Sequence, residues 1–283
     1  MKSLIAILSL SAFLLVGCQK PTEVQLVDDA TFDAEQVVEP DPTVSRSSVD
    51  STGLLPKDQA KFAGLFMVTS VKTDDGFGIA SSTSAYTVLE NRSLVFLDSL
   101  RRKRFKGVFL GQVSVNLFPL ASIPRIVGGD SAGFEYFRFL PFTAHTRYVF
   151  VGGGPGSDVD RFALSVDAPD NLLVQAPVGG TQVRRGKDLH LQWTGQGEVF
   201  GLVMSALRLE GNQVRRIPIF AFRQKKNLGH GKLSKTVLDP LPRGAYLLTF
   251  AISNRDEIQT VSRFQGKVLV QAASIYNVRI DLK

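Results

Sequence analysis

The chain has 283 residues, 44% hydrophobic and 9% aromatic with 20 phenylalanines, which excludes a disordered chain and suits two domains with separate cores. One cysteine, Cys18, excludes an intramolecular disulfide framework. The net charge of +7 is unevenly placed: residues 19–53 hold two basic and eight acidic side chains, which leaves thirty basic against eighteen acidic over residues 54–283, a balance that favours anionic partners.

Lys2 precedes an apolar run, Leu4 to Val16, that closes on Leu15-Val16-Gly17-Cys18. A basic start, a short apolar core and a small-residue cleavage site predict a secretory signal peptide over residues 1–17. The run is shorter than the roughly 20 residues that a hydrocarbon core of about 30 Å requires. The four-residue ending resembles the lipobox of bacterial lipoproteins. That resemblance implies a diacylglyceryl group on the Cys18 sulfur, cleavage before Cys18 and acylation of the new amine. It also implies a palmitate-type anchor in a membrane. Gln19 follows in place of the aspartate that retains many such proteins at the inner membrane, so the implied location is the bacterial outer membrane, on either face. The plainer alternative is an ordinary thiol after an ordinary signal.

Residues 18–53 read as an acidic, flexible tether. Pro21, Pro40 and Pro42 break regular elements, and acids, Ser and Thr dominate. Such a tether has a root-mean-square span of roughly 30–35 Å. Within it, Val24, Leu26 and Val27 have the character of a short strand that could dock.

From Leu54 the composition changes. Pro56–Lys61 predicts a turn of helix leading into a strand over Phe62–Val71. Thereafter the period is two: Val113, Val115 and Leu117 alternate with polar residues, and strands follow around Phe134–Phe139, Arg147–Val151 and Arg161–Val166. Turns are marked at Asp74-Asp75-Gly76, Asn91, Gly128-Gly129-Asp130 and Gly152–Asp158. Ser99–Arg104 has room for a short helix. Residues 54–166 are therefore expected to form a β-sandwich or jelly-roll-like domain.

Residues 167–180, with Pro169, Pro177 and Gly179-Gly180, are expected to link it to a second domain over 181–283. There Leu189, Leu191 and Trp193 alternate with His190, Gln192 and Thr194. Strands are expected over Val199–Leu209, Arg216–Phe222, Ala245–Ile252, Gln259–Gln271 and Ser274–Leu282. Trp193 on an early strand, with Leu241-Pro242-Arg243-Gly244-Ala245-Tyr246, resembles the fibronectin type III and immunoglobulin-like superfamily. The resemblance implies that Tyr246 is a tyrosine corner, its hydroxyl pinned to the backbone of its own loop. No cysteine pair accompanies it.

Chemistry-bearing patterns are few. Gly129-Asp130-Ser131-Ala132-Gly133 fits G-x-S-x-G, the nucleophile elbow of α/β-hydrolases, a motif that needs a strand before Ser131 and a helix after it. The residues after it alternate as a strand does. The competing reading is a tight β-turn. His145, His190 and His230 lie at no metal-ligand spacing. Asp158-Val159-Asp160 offers two carboxylates but misses the spacing of a calcium loop, and a hairpin connection fits better. Basic clusters are the stronger feature: Arg101, Arg102, Lys103, Arg104 and Lys106; Arg184, Arg185 and Lys187; and Arg223, Lys225, Lys226, Lys232 and Lys235 around a glycine-bearing loop. Loops at the ends of a sandwich are where such folds commonly bind. The competing reading is solubility and protection of strand edges.

Taken together, the sequence predicts an all-β protein: two tandem β-sandwich domains after a signal peptide and a flexible tether. The expected function is a non-enzymatic, outer-membrane-anchored binding or assembly module. Its partners are expected to be an anionic glycan, lipopolysaccharide or protein rather than nucleic acid, with no cofactor or metal. The alternative is an envelope serine esterase using Ser131.

Overall fold

A computed structural model describes residues 26–28, 62–97, 103–127, 130–210, 213–224, 227–259 and 267–283. Most of them are strand. The elements in chain order are β1 (Leu26–Asp28), β2 (Phe62–Asp74), β3 (Ile79–Leu97), β4 (Lys103–Gly107), β5 (Ser114–Val115), β6 (Phe118–Pro119), β7 (Ala121–Val127), β8 (Asp130–Phe139), β9 (Arg147–Gly152), β10 (Phe162–Asp167), β11 (Leu173–Ala176), β12 (Thr181–Val183), β13 (Leu189–Thr194), β14 (Val199–Glu210), β15 (Gln213–Gln224), β16 (His230–Leu233), a single-turn helix α1 (Lys235–Leu238), β17 (Gly244–Gln259) and β18 (Lys267–Leu282).

One large sheet runs through both halves of the chain in the order β1-β15-β14-β17-β18-β2-β3-β8-β7, with β12 paired to β18 and β4 to β3. A four-stranded sheet, β10-β9-β5-β6, and a three-stranded sheet, β11-β13-β16, form the second layers. The architecture is all-β, with two sandwiches that share a sheet.

The first core gathers Phe66, Val68, Ala85, Leu89 and Tyr136 from the large sheet against Val113, Val115, Tyr148, Phe150 and Phe162. Phe66 meets Phe150 and Phe162 edge-on, with ring centroids 5.5 and 5.4 Å apart. The second core places Phe200, Leu202, Leu248, Phe250 and Val278 against Leu189, Leu191, Trp193 and Leu233. Trp193 stacks on Phe200 at 4.5 Å. Its alternation with Leu189 and Leu191 is the one read from the sequence: those three are buried and His190, Gln192 and Thr194 exposed.

Strand β18 joins the halves. It pairs antiparallel with β17 along its whole length and parallel with β2. Val268, Val270 and Ala272 lie in the first core, while Tyr276, Val278, Ile280 and Leu282 lie in the second. All are even-numbered, so they share one face of the strand. Both second layers therefore sit side by side on the same face of the large sheet. A polar chain ties the centre from the other face: Thr249 Oγ1 lies 2.7 Å from Asn277 Oδ1, and Asn277 Nδ2 donates to Thr73 Oγ1 at 3.2 Å.

The segment expected as a linker is packed. Ala168 belongs to the first core and Leu172 to the second. The Gly179 amide donates to Asp74 Oδ2 at 2.8 Å.

Three local expectations change. The break expected between Gln271 and Ser274 is absent: β18 is continuous through Ala272-Ala273-Ser274, Gln259 ends β17, and residues 260–266 of the expected strand lie outside the described residues. Lys103 and Arg104 are strand rather than helix, because β4 pairs with the far end of β3. Leu117 does not continue the buried face of Val113 and Val115. Asn116 and Leu117 have φ of 46° and 69° and form the turn between β5 and β6, which leaves Leu117 exposed. The Asn116 side chain holds this turn, accepting from the Val149 amide at 2.8 Å and donating to the Arg147 carbonyl at 3.1 Å.

Candidate interaction surface

The basic residues named from the sequence are distributed over three places. In the first cluster, Arg101 and Arg102 lie outside the described residues. Lys103, Arg104 and Lys106 lie on β4, at register positions opposite Leu97, Phe96 and Asn91 of β3. Strand β4 ends at Gly107, directly against Gly133 of β8. Gly133 has φ of 104°, and a Cβ there would collide with the Gly107 backbone. Only glycine lets the two strands approach so closely. The last glycine of the G-x-S-x-G pattern thus has a packing reason.

Ser131 itself lies within β8, opposite Ile126 of β7, and the hairpin pairs as far as Val127↔Asp130. Strand continues from Asp130 to Phe139, where an elbow would place a helix. His190 and His230 are exposed on β13 and β16, in the sheet that covers the second core. The backbone therefore puts Ser131 and these histidines in different sheets. His145 Nε2 lies 2.7 Å from Asp170 Oδ1. Asp170 Oδ2 also accepts from the Gln196 amide.

Asp158 accepts from the Phe109 amide through Oδ2 at 2.9 Å, so its carboxylate pins the hairpin connection between β9 and β10. Among the described residues no group of three or more His, Cys, Asp or Glu side chains is placed to hold a metal ion.

In the second cluster, Arg184 and Lys187 are exposed, and Arg185 Nη2 donates to the Leu241 carbonyl at 3.0 Å. Of the third, Lys232 and Lys235 lie at Asp188. Lys232 Nζ stands 3.7 Å from Asp188 Oδ2, and the Lys235 amide donates to Asp188 Oδ1 at 2.7 Å. That amide bond, then the nearby Lys232 and Lys235 charges, hold the Asp188 carboxyl below the usual carboxylate range. Lys232 is thus engaged within the fold. Arg223 lies on β15 at a register position beside Asp28 of β1. Lys225, Lys226 and the lipidation candidate Cys18 lie outside the described residues.

The tyrosine corner is present: Tyr246 Oη donates to the Pro242 carbonyl at 2.7 Å. Close by, a shallow solvent-open groove of about 520 Å³ is lined by Arg243, Arg279, Asp281 and Lys283, in which Arg279 pairs with Asp281 at 3.6 Å.

Sequence reasoning missed a set of exposed apolar side chains at what is, among the described residues, an edge of the large sheet. Strand β7 is the edge. Ile123 and Ile126 are 44% and 68% exposed, and Phe139 on β8 is 54% exposed. The available signal was Pro124 inside an apolar run, since proline in a sheet is confined to edges and bulges. Here it sits beside a register shift between Pro124 and Ile126.

No protein-family model matches the chain, and no curated protein matches it. Among solved structures it is similar to the crystal structure of DIP-gamma IG1+IG2, at 10% identity and a TM-score of 0.19, over 78% of this chain and 96% of that chain.

Proposed function

We propose that this protein is a non-enzymatic, lipid-anchored binding or assembly module of the bacterial outer membrane, which contacts an anionic partner through its basic segments. The anchor reading rests on Leu15-Val16-Gly17-Cys18 after a short apolar run. The immunoglobulin-like or fibronectin-like assignment of the second sandwich rests on Trp193 and on the Tyr246–Pro242 bond.

The observation that carries the binding reading is the position of the first basic cluster. Residues 101–106 hold five basic side chains. Lys103, Arg104 and Lys106 lie on β4, which among the described residues pairs with the far end of β3 and borders β8 at Gly133. Cations concentrated at a sheet margin raise the local potential and steer anionic partners, with a strong dependence on salt.

Replacing Arg101, Arg102, Lys103 and Arg104 with glutamine is expected to weaken retention on immobilised lipopolysaccharide or an anionic glycan at low salt. Retention equal to that of the parent chain removes this cluster from the function. Radiolabelled palmitate tests the anchor separately: incorporation is expected, and its loss in a Cys18→Ser variant identifies the attachment point.

A further inference from the structure

Three neighbouring strands bring cations together at one corner of the second sandwich. At the end of β18, Leu282 stands between Gly244 of β17 and Val183 of β12. One step past this row come Lys283, Arg243 and Arg184, all exposed. The Lys283 amide donates to the Val183 carbonyl at 3.0 Å, which carries the pairing to that step. Neighbouring strands lie about 4.8 Å apart, so three positive charges from distant parts of the sequence form a row across the sheet. The loops that carry two of them are tied together. Arg185 Nη2 donates to the Leu241 carbonyl at 3.0 Å, and the Gly186 amide donates to Asp239 Oδ1 at 2.7 Å.

The groove described above lies beside this row. Ile280 and Leu282 face the second core, so Arg279 and Asp281 face the opposite side of β18. There Arg243, Arg279, Asp281 and Lys283 line a volume of about 520 Å³, with the small residues Gly244 and Ala245 between them. Arg279 Nη2 stands 3.6 Å from Asp281 Oδ1, while its Nε is buried without a hydrogen-bond partner. The lining thus sets three cationic side chains against one carboxylate side chain. Like charges on adjacent strands repel and destabilise a sheet. A buried guanidinium N–H with no acceptor adds to that cost. An anionic group lying in the groove removes both penalties.

We infer that this groove binds an acidic glycan, with Arg243, Arg279 and Arg184 gripping successive carboxylate groups of a uronate chain. Guanidinium forks match carboxylates with two parallel hydrogen bonds. The strand spacing that separates the row of cations is close to the length of one pyranose ring, so neighbouring cations meet neighbouring sugars. A shallow, open groove suits a chain that passes across it. None of the exposed large apolar side chains lines it. A bilayer would need such side chains to enter the headgroup boundary, a protein partner would need them at the centre of its interface, and a single-stranded nucleic acid would need aromatic rings to stack on. The inference rests on the proposed anionic-partner reading and names the partner's chemistry, yet it uses no residue of the 101–106 cluster.

The test uses the full chain in a neutral detergent and a fluorescently labelled oligogalacturonate, followed by fluorescence anisotropy. Arg243→Gln/Arg279→Gln is expected to weaken binding by about tenfold or more. Asp281→Asn removes the competing carboxylate and keeps the side-chain shape. It is expected to tighten binding several-fold, a gain that damage to the fold would not produce. Arg161→Gln, at an exposed cation of the first sandwich, is expected to leave binding unchanged. Equal affinity in the double variant overturns the inference. So does displacement by inorganic phosphate at the same concentration as the oligosaccharide, which would make the groove a single-anion site. The two readings fail separately. If the parent chain binds no oligogalacturonate while replacement of Arg101–Arg104 weakens retention on lipopolysaccharide, the inference falls and the anionic-partner reading stands. If oligogalacturonate binds through Arg243 and Arg279 while that replacement changes nothing, the groove stands and the 101–106 cluster falls.

Discussion

The Leu172 amide donates to the Ser274 hydroxyl at 2.9 Å, and both residues are buried. This bond fixes the connecting segment onto the middle of β18, between the stretch that serves the first core and the stretch that serves the second. Ser274→Ala removes the acceptor and leaves a buried amide unpaired, which costs about 1–3 kcal/mol. The expected result is a drop of that size in urea unfolding, and Ser274→Thr, which keeps the hydroxyl, is expected to recover part of it.

Because β18 contributes to both cores, the two sandwiches are expected to unfold together. Phe66→Ala in the first core and Phe250→Ala in the second should each cost about 3–5 kcal/mol by leaving a cavity among aromatic rings. Trp193 is the only tryptophan and lies in the second core. Its fluorescence therefore reports one half, while far-ultraviolet circular dichroism reports both. Phe66→Ala is expected to move the Trp193 transition by as much as the dichroism transition. A Trp193 midpoint unchanged by Phe66→Ala would establish independent domains.

The sequence carried the strand alternation well where each face has one environment. Leu189, Leu191 and Trp193 are legible because solvent lies on one side and core on the other. Tyr246 was legible because a corner needs its loop residues next to it in sequence. Strand β18 was not, because both its faces are buried from Val268 to Val278, and Ala272-Ala273-Ser274 at its centre looks like a break. Those small side chains lie where the connecting segment meets the strand through Leu172 and Ser274. Leu117 was misplaced for a different reason. Alternation extends through it, yet Asn116 takes two backbone partners with its side chain and turns the chain one residue earlier. Among the site residues, the basic clusters were legible as composition, while the exposed sheet edge depended on long-range pairing that no local pattern encodes.

Burial pushes the Tyr136, Tyr148, Tyr246 and Tyr276 phenols above their ordinary value. The cause is desolvation, which penalises the phenolate. In the unfolded chain these groups lose protons near pH 10. The neutral phenols therefore contribute fully below about pH 10, and that contribution is lost as pH rises toward the higher folded values. Urea midpoints are expected to fall on alkaline titration. Tyr136→Phe should lower stability at neutral pH, since the Leu110 amide loses its acceptor at 2.7 Å, and should flatten the alkaline decline. An unchanged alkaline slope in Tyr136→Phe would assign the decline to other groups.

Leu117 combines φ of 69° with near-complete exposure. The left-handed conformation costs a residue with a Cβ about 1–2 kcal/mol, and an exposed leucine recovers little of that through packing. Glycine adopts the conformation without the clash, though it loses more backbone entropy on folding. Leu117→Gly is therefore expected to stabilise the fold by about 1 kcal/mol or less. Asn116→Ala should do the opposite, by removing the bonds to Val149 and Arg147. Thermal unfolding of the two single variants and the double variant checks this, with the gain from glycine expected to shrink once Asn116 no longer holds the turn.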